Sequence, residues 1–430
     1  MDRRRALVSV HMGTDNPIAP SEPIIDINNY LTIEALELIS IQFTGDACEY
    51  CVNGDGNWTT LNTNEYIYIF RRQYVSFRGE LTPAINVGIG SFDISGKCNL
   101  KGNCMSMLFG DNAANNLSLT GKDYAFYELF YNCTNIVNVS ENFLPATTLA
   151  DYCYGFMFSG CSSLTTAPAL PATTLASSCY RGMFRNCFSL TTVPELPATT
   201  LKTYCYGVMF QGCSSLTTAP YLPATTLASS CYYGMFSNCT NLTTAPYLPA
   251  TTLASSCYNS MFWVCTSLTT APELPATTLA SNCYNNMFYG CNKLNYIKML
   301  ATNISAGNCL TGWVYNVASA GTFVKNSAMD LPTATQANSY VGIPEGWTVI
   351  DDGEYSGGLI TFTIDGVEYQ AEEGMTWGEW VNSEYNVNGE FTVDLDDSIL
   401  YGWSRWVGTE VDYVYASHII EENYNYAVVV

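Results

Sequence analysis

This 430-residue chain has almost no histidine: His11 and His418 are the only two, and they lie near opposite ends. No histidine-rich metal spacing exists, nor a phosphate-cradling glycine loop or a nucleophile elbow. Charge is scarce too. Only 13% of residues are Asp, Glu, Lys or Arg, and residues 145–300 hold three acids and five bases. A glycosidase needs two positioned carboxylates, and this middle segment offers no pair. Nowhere do about 18 apolar residues run together, so no membrane span is expected. Basic stripes are missing, and the formal net charge is −22, which argues against phosphate backbones as partners. The negative charge is concentrated at one end: residues 345–430 hold eighteen Asp or Glu and one base, Arg405. The start, "MDRRRALVSV", is basic, but its apolar part is too short for a secretion signal. Ordinary export and lipid anchoring are therefore not expected. With 48% hydrophobic residues, the chain is also too apolar to be disordered.

Cysteine, by contrast, is plentiful and regular. Cys153, Cys179, Cys205, Cys231, Cys257, Cys283 and Cys309 step by 26 residues, as do Cys161, Cys187, Cys213, Cys239, Cys265 and Cys291. The unit between them reads C-Y-x-x-M-F-x-x-C-x-x-L-T-T-x-P-x-L-P-A-T-T-L-A-x-x. A fixed period of this length indicates stacked units, each burying its apolar face against its neighbours. Weaker copies at 103–111, 127–139 and 308–317 suit capping. The segment "LTTAPYL" predicts a short strand, limited by prolines such as Pro220 and Pro246. In "LASSCYYGMFSNC" the apolar residues fall at helical spacing, which predicts a short helix. The expected fold class is a mixed α/β repeat solenoid of strand-plus-helix units, flanked by a small β-rich N-terminal module and an α+β C-terminal module.

The "MFxxCxxLTTAPxLPATTLA" unit and the closing "GIPEGWTVI" at 342–350 resemble leucine-rich repeats of the BspA type, abundant in gut Bacteroidales and their phages. That resemblance covers about residues 98–350 and implies a binding or structural scaffold rather than a reaction.

Thirteen of the 18 cysteines lie on the two ladders. On a helix, cysteines eight apart would be ~12 Å apart, too far for a disulfide. Free, buried thiols are expected, acting as small hydrophobes. Cys48, Cys51, Cys98 and Cys104 are poorly matched in spacing for zinc, so no metal and no cofactor is expected.

Four segments follow: 1–33 an arm, 34–97 a β-sandwich-like module, 98–350 the repeats, and 351–430 an acidic module. Arg3, Arg4 and Arg5 in the arm are candidate attachment residues for an acidic partner. "NGDGN" at 53–57 predicts a hairpin turn rather than a calcium loop. In the last segment "TIDGVEY" predicts a hairpin, and "GMTWGEWVNSEYN" a short helix carrying Trp377 and Trp380. Asp394, Asp396 and Asp397 read as a solvated loop before a cation site. The "YCVNGDGNW…VSFRGEL" pattern is similar to small β-sandwich modules preceding such repeats. The last segment resembles a module on phage structural and tail-associated proteins.

In a repeat scaffold the variable positions decorate the surface. Between Pro and Leu the residue varies, which nominates Tyr221 and Tyr247 flanked by Glu195 and Glu273. The position after Phe also varies (Ser159, Arg185, Gln211, Ser237, Trp263, Tyr289), nominating Trp263 and Tyr289. No catalytic residue is expected. The expectation is a non-enzymatic phage virion protein, assembled in the host cytoplasm as a homo-oligomer. Its arm would contact other virion proteins, and its repeats a host surface protein or glycan. A bacterial cell-surface adhesin is the alternative.

Overall fold

A computed structural model describes residues 25–352 and the strand segments 359–364, 367–372, 399–407, 410–415 and 425–428. Eight strands come first: β1 (Leu31–Ala35), β2 (Ile39–Phe43), β3 (Cys48–Val52), β4 (Thr59–Leu61), β5 (Tyr66–Ile69), β6 (Tyr74–Arg78), β7 (Phe92–Ser95) and β8 (Cys98–Lys101). β2, β5, β7 and β8 alternate as half-buried strands do, whereas β1 and β6 are buried along most of their length. In β5, Ile67 and Ile69 are buried while Tyr66 and Tyr68 face out. With β9 (Ile136–Val139) they form two sheets, ordered β4-β3-β6-β1-β8-β9 and β5-β2-β7. Phe77 on one sheet meets Phe92 on the other with ring centroids 5.1 Å apart. β1 begins at Leu31, within the segment read as an arm, and lies between β6 and β8. "NGDGN" makes the expected hairpin: β3 pairs antiparallel with β4, and Asn53, Gly54 and Gly56 take positive φ.

The strand-plus-helix solenoid expected from the sequence is not what the chain forms. Among the described residues the one α-helix is Ser106–Phe109, ahead of the strong repeats. "CYxxMFxxC" is instead a run of tight turns. Every second amide closes a turn onto its own unit, as Met183 N–H does to the Tyr180 carbonyl at 3.2 Å. The amides between them cross to the next unit: Tyr180 N–H donates to the Cys205 carbonyl and Phe184 N–H to the Met209 carbonyl, both at 3.0 Å. Every fourth residue is left-handed: Ser178, Gly182 and Asn186 in one unit, Tyr204, Val208 and Gly212 in the next. The pattern of left-handed residues and buried side chains therefore has a period of four, close enough to 3.6 to look helical in sequence. The Thr-rich segments contribute isolated parallel bridges, Thr166 with Thr192 and Thr218 with Thr244, rather than full strands. The prolines that follow, Pro168, Pro194, Pro220 and Pro246, cannot extend such a ladder.

Inside the array, identical side chains stack on themselves. One column of rings runs Phe92, Phe130, Phe158, Phe184, Phe210, Phe236, Phe262, Phe288, with centroid spacings of 5.3–5.8 Å. It starts in the sandwich and ends against Trp313, so one hydrophobic core spans both regions. A second column stacks Tyr154, Tyr180, Tyr206, Tyr232, Tyr258 and Tyr284, all buried. The array closes with β10 (Tyr296–Met299), β11 (Thr322–Lys325), β12 (Thr333–Ala334), β13 (Ile343–Pro344) and β14 (Thr348–Asp351). Of these, β10, β11 and β14 are parallel. Trp313 Nε1 donates to the Gly342 carbonyl at 2.9 Å, and Trp347 Nε1 to Ala318 at 2.7 Å. Further on, β15 (Leu359–Ile364) pairs antiparallel with β16 (Val367–Glu372), as "TIDGVEY" predicts, in a sheet with β17 (Ile399–Val407), β18 (Glu410–Tyr415) and β19 (Asn425–Val428). Arg3, Arg4, Arg5, the segment with Trp377 and Trp380, and Asp394, Asp396 and Asp397 lie outside the described residues.

All 18 cysteines are free and buried; for the thirteen on the ladders the sequence led us to expect it, although no helix holds them apart. The second ladder has a further role. Cys187 Sγ donates to the Phe158 carbonyl at 3.2 Å, and Cys213, Cys239, Cys265 and Cys291 repeat the contact one unit on. Burial pushes these thiols up, to about 12 at Cys239 and Cys291. A thiol attacks only as thiolate. The folded chain is therefore expected to leave all 18 thiols unlabelled by a maleimide at neutral pH, and to release them together in denaturant. Rapid labelling of ladder cysteines in the native state would contradict this packing.

Candidate binding surface

The turn ladder divides side chains by position. Counting from the first cysteine of a unit, that cysteine, the Tyr, the Met-Phe pair and the second cysteine point inward. The residue before the cysteine and those two, three and six places after it reach the outer side where they carry a large side chain, as Tyr152, Arg181, Phe156 and Trp263 do. Two aromatic strips form there.

The first strip lies over the early units. Tyr124 stacks on Tyr152 at 4.8 Å, and Tyr127 meets Phe156 edge-on at 6.0 Å. The Arg181 guanidinium lies 5.8 Å from the Phe156 ring and 5.2 Å from the Tyr204 ring, and Tyr204 meets Tyr233 at 6.0 Å. Gly182 makes room: a Cβ there would sit 2.3 Å from the Phe156 ring. Burial, then the neighbouring Glu128 carboxylate, pushes the Tyr127 phenol up to about 12. Burial also raises Tyr124, helped by Tyr152, Asp123 and Asp151. Both phenols thus stay protonated and able to donate across the physiological range.

The second strip covers the late units. Trp263 and Tyr289 lie 6.0 Å apart with planes 27° from parallel. Tyr289 and Tyr315 close to 4.4 Å, and Tyr340 turns edge-on to Tyr315 at 4.6 Å. All four rings are half-buried. Face-to-face stacking spends the ring faces on one another. The strip therefore presents apolar edges and polar tips.

Trp263 and Tyr289 are thus brought together as the variable row suggested. The rest of that row is uneven, with Ser159 and Ser237 buried and Arg185 exposed. Tyr315 occupies the same position in the next unit, where loss of the Met-Phe pair obscures the register. Tyr340 sits one residue out of phase. The positions of the first strip looked like scattered substitutions in sequence, although the recurring Gly, Ser and Asn at every fourth residue were a readable signal. The row between Pro and Leu also reaches the surface. Tyr221 and Tyr247 are half-buried at equivalent places of units bridged by Thr218 and Thr244, and Glu195 is exposed. Glu273 is held by Lys298 at 3.3 Å, which also reaches Asp352 at 3.6 Å.

Elsewhere a shallow depression on the sandwich is lined by Glu49, Thr60, Arg78, Glu80 and Asp111. Arg78 lies in its wall, bonded to Glu49 and Asp111 at 2.8 and 2.7 Å and 4.1 Å over the Trp58 ring. Its guanidinium is committed to these partners. Among the described residues no group of His, Cys, Asp and Glu is placed to hold a metal ion, and no helix could cross a membrane. No family model matches this chain, and no curated protein is significantly similar to it.

Proposed function

We propose that the chain is a non-enzymatic adhesion protein that presents its outer aromatic strip to a host-cell glycan, as a component of a phage particle. The observation carrying this reading is the row Trp263, Tyr289 and Tyr315, one ring per unit at a fixed position, closed by Tyr340 one residue out of phase. Aromatic side chains with a polar tip are the residues that proteins favour at contact surfaces. A sugar chain alternates hydroxyls with apolar C–H patches, and the strip alternates polar tips with apolar edges. The turn ladder fixes the rings before binding, which lowers the ordering cost. The buried free thiols support folding in a reducing compartment, such as the cytoplasm in which a virion assembles. The likeness to BspA-type repeats points the same way.

Glycan-array binding of the purified chain tests the reading. Replacing both Trp263 and Tyr289 by alanine should weaken binding about tenfold or more, equivalent to ~1.4 kcal/mol or more. Mass spectrometry of DNA-filled particles should find the chain at stoichiometric level. Unchanged binding by the double variant would remove the strip from the account. Peptides confined to the host envelope would remove the virion.

A further inference from the structure

One surface of the sandwich is left open in a way the adhesion reading does not use. Strand β5 is at the edge of its sheet, paired on one side with β2. Its outer face carries Tyr66, Tyr68 and the following Phe70, exposed by 55%, 58% and 57%. Leu38 and Leu36, at 59% and 37%, extend this apolar area near the start of β2. Edge strands in folded proteins are usually blunted by lysine, proline, a bulge or an inward charge. "YIYIF" has none of these, and its register with β2 is unbroken.

The charges at its ends select the occupant. The stretch reads Glu65-Tyr-Ile-Tyr-Ile-Phe-Arg71-Arg72, acidic at one end and basic at the other. Consider an antiparallel pairing of this strand with itself, centred on Tyr68. Glu65 of each copy falls opposite Arg71 of the other, Tyr66 opposite Phe70, and Ile67 opposite Ile69. The isoleucines stay on the core side and the aromatic residues on the outer side, so the alternation survives the crossing. A parallel pairing in register would place Glu65 on Glu65 and Arg71 on Arg71. One Glu65 oxygen accepts from the Asn62 amide at 3.0 Å, leaving the other for a partner. Among the described residues Arg71 makes no ion pair.

We propose that two copies of this chain associate through β5, antiparallel, with the two-fold axis at Tyr68. The two three-stranded sheets then become one six-stranded sheet, with an aromatic row running across its outer face. Such a contact is smaller than a standard interface, so the dimer should be reversible and concentration-dependent.

Sedimentation equilibrium of the full chain tests this. The wild type should dimerise. Glu65→Arg and Arg71→Glu should each raise the dissociation constant about tenfold or more, because like charges then face each other. The double swap should bring it back towards the wild-type value. Tyr68→Cys, at an exposed position, should give a disulfide-linked dimer on mild oxidation. Directly opposed Cα atoms in antiparallel strands are ~4.5–5.5 Å apart, within disulfide range. The wild type, with every native thiol buried, should not cross-link. A wild type that stays monomeric, a double swap that fails to rescue, or a Tyr68→Cys chain that does not cross-link would each overturn the proposal. Glu65→Arg should bind glycan as the wild type does, so the fate of this interface is separable from that of the aromatic strip.

Discussion

Raising the pH from about 8 to about 11 is expected to unfold the repeat array, with no added denaturant. The cause is the stacked thiols. In the unfolded chain a cysteine ionises near 8.5. In the folded array burial holds the thiols far higher, to about 12 at Cys231, Cys239, Cys283 and Cys291. A raised folded pKa contributes stability that is fully present below the unfolded value. That contribution is lost as pH climbs towards the folded value. The window therefore opens near 8.5 and closes near 12. Within it the unfolded state has lost a proton that the folded state retains, at a cost of about 1.4 kcal/mol per thiol per pH unit. Thirteen ladder thiols act together, and the buried tyrosine column adds to them above about 10. Even a fraction of this exceeds the ~5–15 kcal/mol net stability of a typical domain. Circular dichroism against pH, in reductant, would show one alkaline transition coinciding with the rise of thiolate absorbance. An array still folded at the upper end of that window, with its thiols ionised, would refute the packing described.

Replacing Phe210 by alanine is expected to destabilise the array by about 3–5 kcal/mol. Phe210 is fully buried and stacks on Phe184 and Phe236 at 5.7 and 5.8 Å. Removing the ring leaves a cavity and two broken stacks, each worth about 0.5–1.5 kcal/mol beyond the buried area. Because each unit touches only its neighbours, the damage should also divide the cooperative unit and give two transitions where the wild type gives one. Phe188 is the internal control. It lies in the same array but is 51% exposed, and Phe188→Ala should change stability by no more than about 0.5 kcal/mol. Urea unfolding of both variants decides the matter: equal effects would mean the column does not carry the core.

The contrast between those two phenylalanines shows how far sequence alone could go. Periodicity picked out Phe210 as constant and Phe188 as variable, and that distinction holds. It also identified the cysteine ladders as free thiols, and it set Trp263 and Tyr289 in one variable row. The backbone was misread because "CYxxMFxxC" repeats every four residues, and a helix at 3.6 cannot be separated from a four-residue turn over so short a span. What separates them is chirality. Asn186, Asn238 and Asn316 share a column with Gly160, Gly212 and Gly290, and all are left-handed. Asn and Gly are the residues that tolerate that conformation, whereas a helix interior would disfavour them. Val264 and Val208 are left-handed despite their branching, carried by neighbours on both sides. The closure around Trp313 and Gly342 was not legible, because it depends on one indole reaching a carbonyl 29 residues away.

The hydrogen bonds that cross from unit to unit run mostly between backbone groups, with the ladder thiols and some threonine hydroxyls donating to carbonyls, and they connect equivalent places. A unit inserted in register would therefore meet the same donors, acceptors and rings as the unit it displaces. Length is a free variable in such an array. Duplication or loss of one 26-residue block in the gene lengthens or shortens the outer strip by one ladder step and leaves both closing ends intact. A lineage of such genes can vary its reach towards a surface by counting units, without designing a new fold.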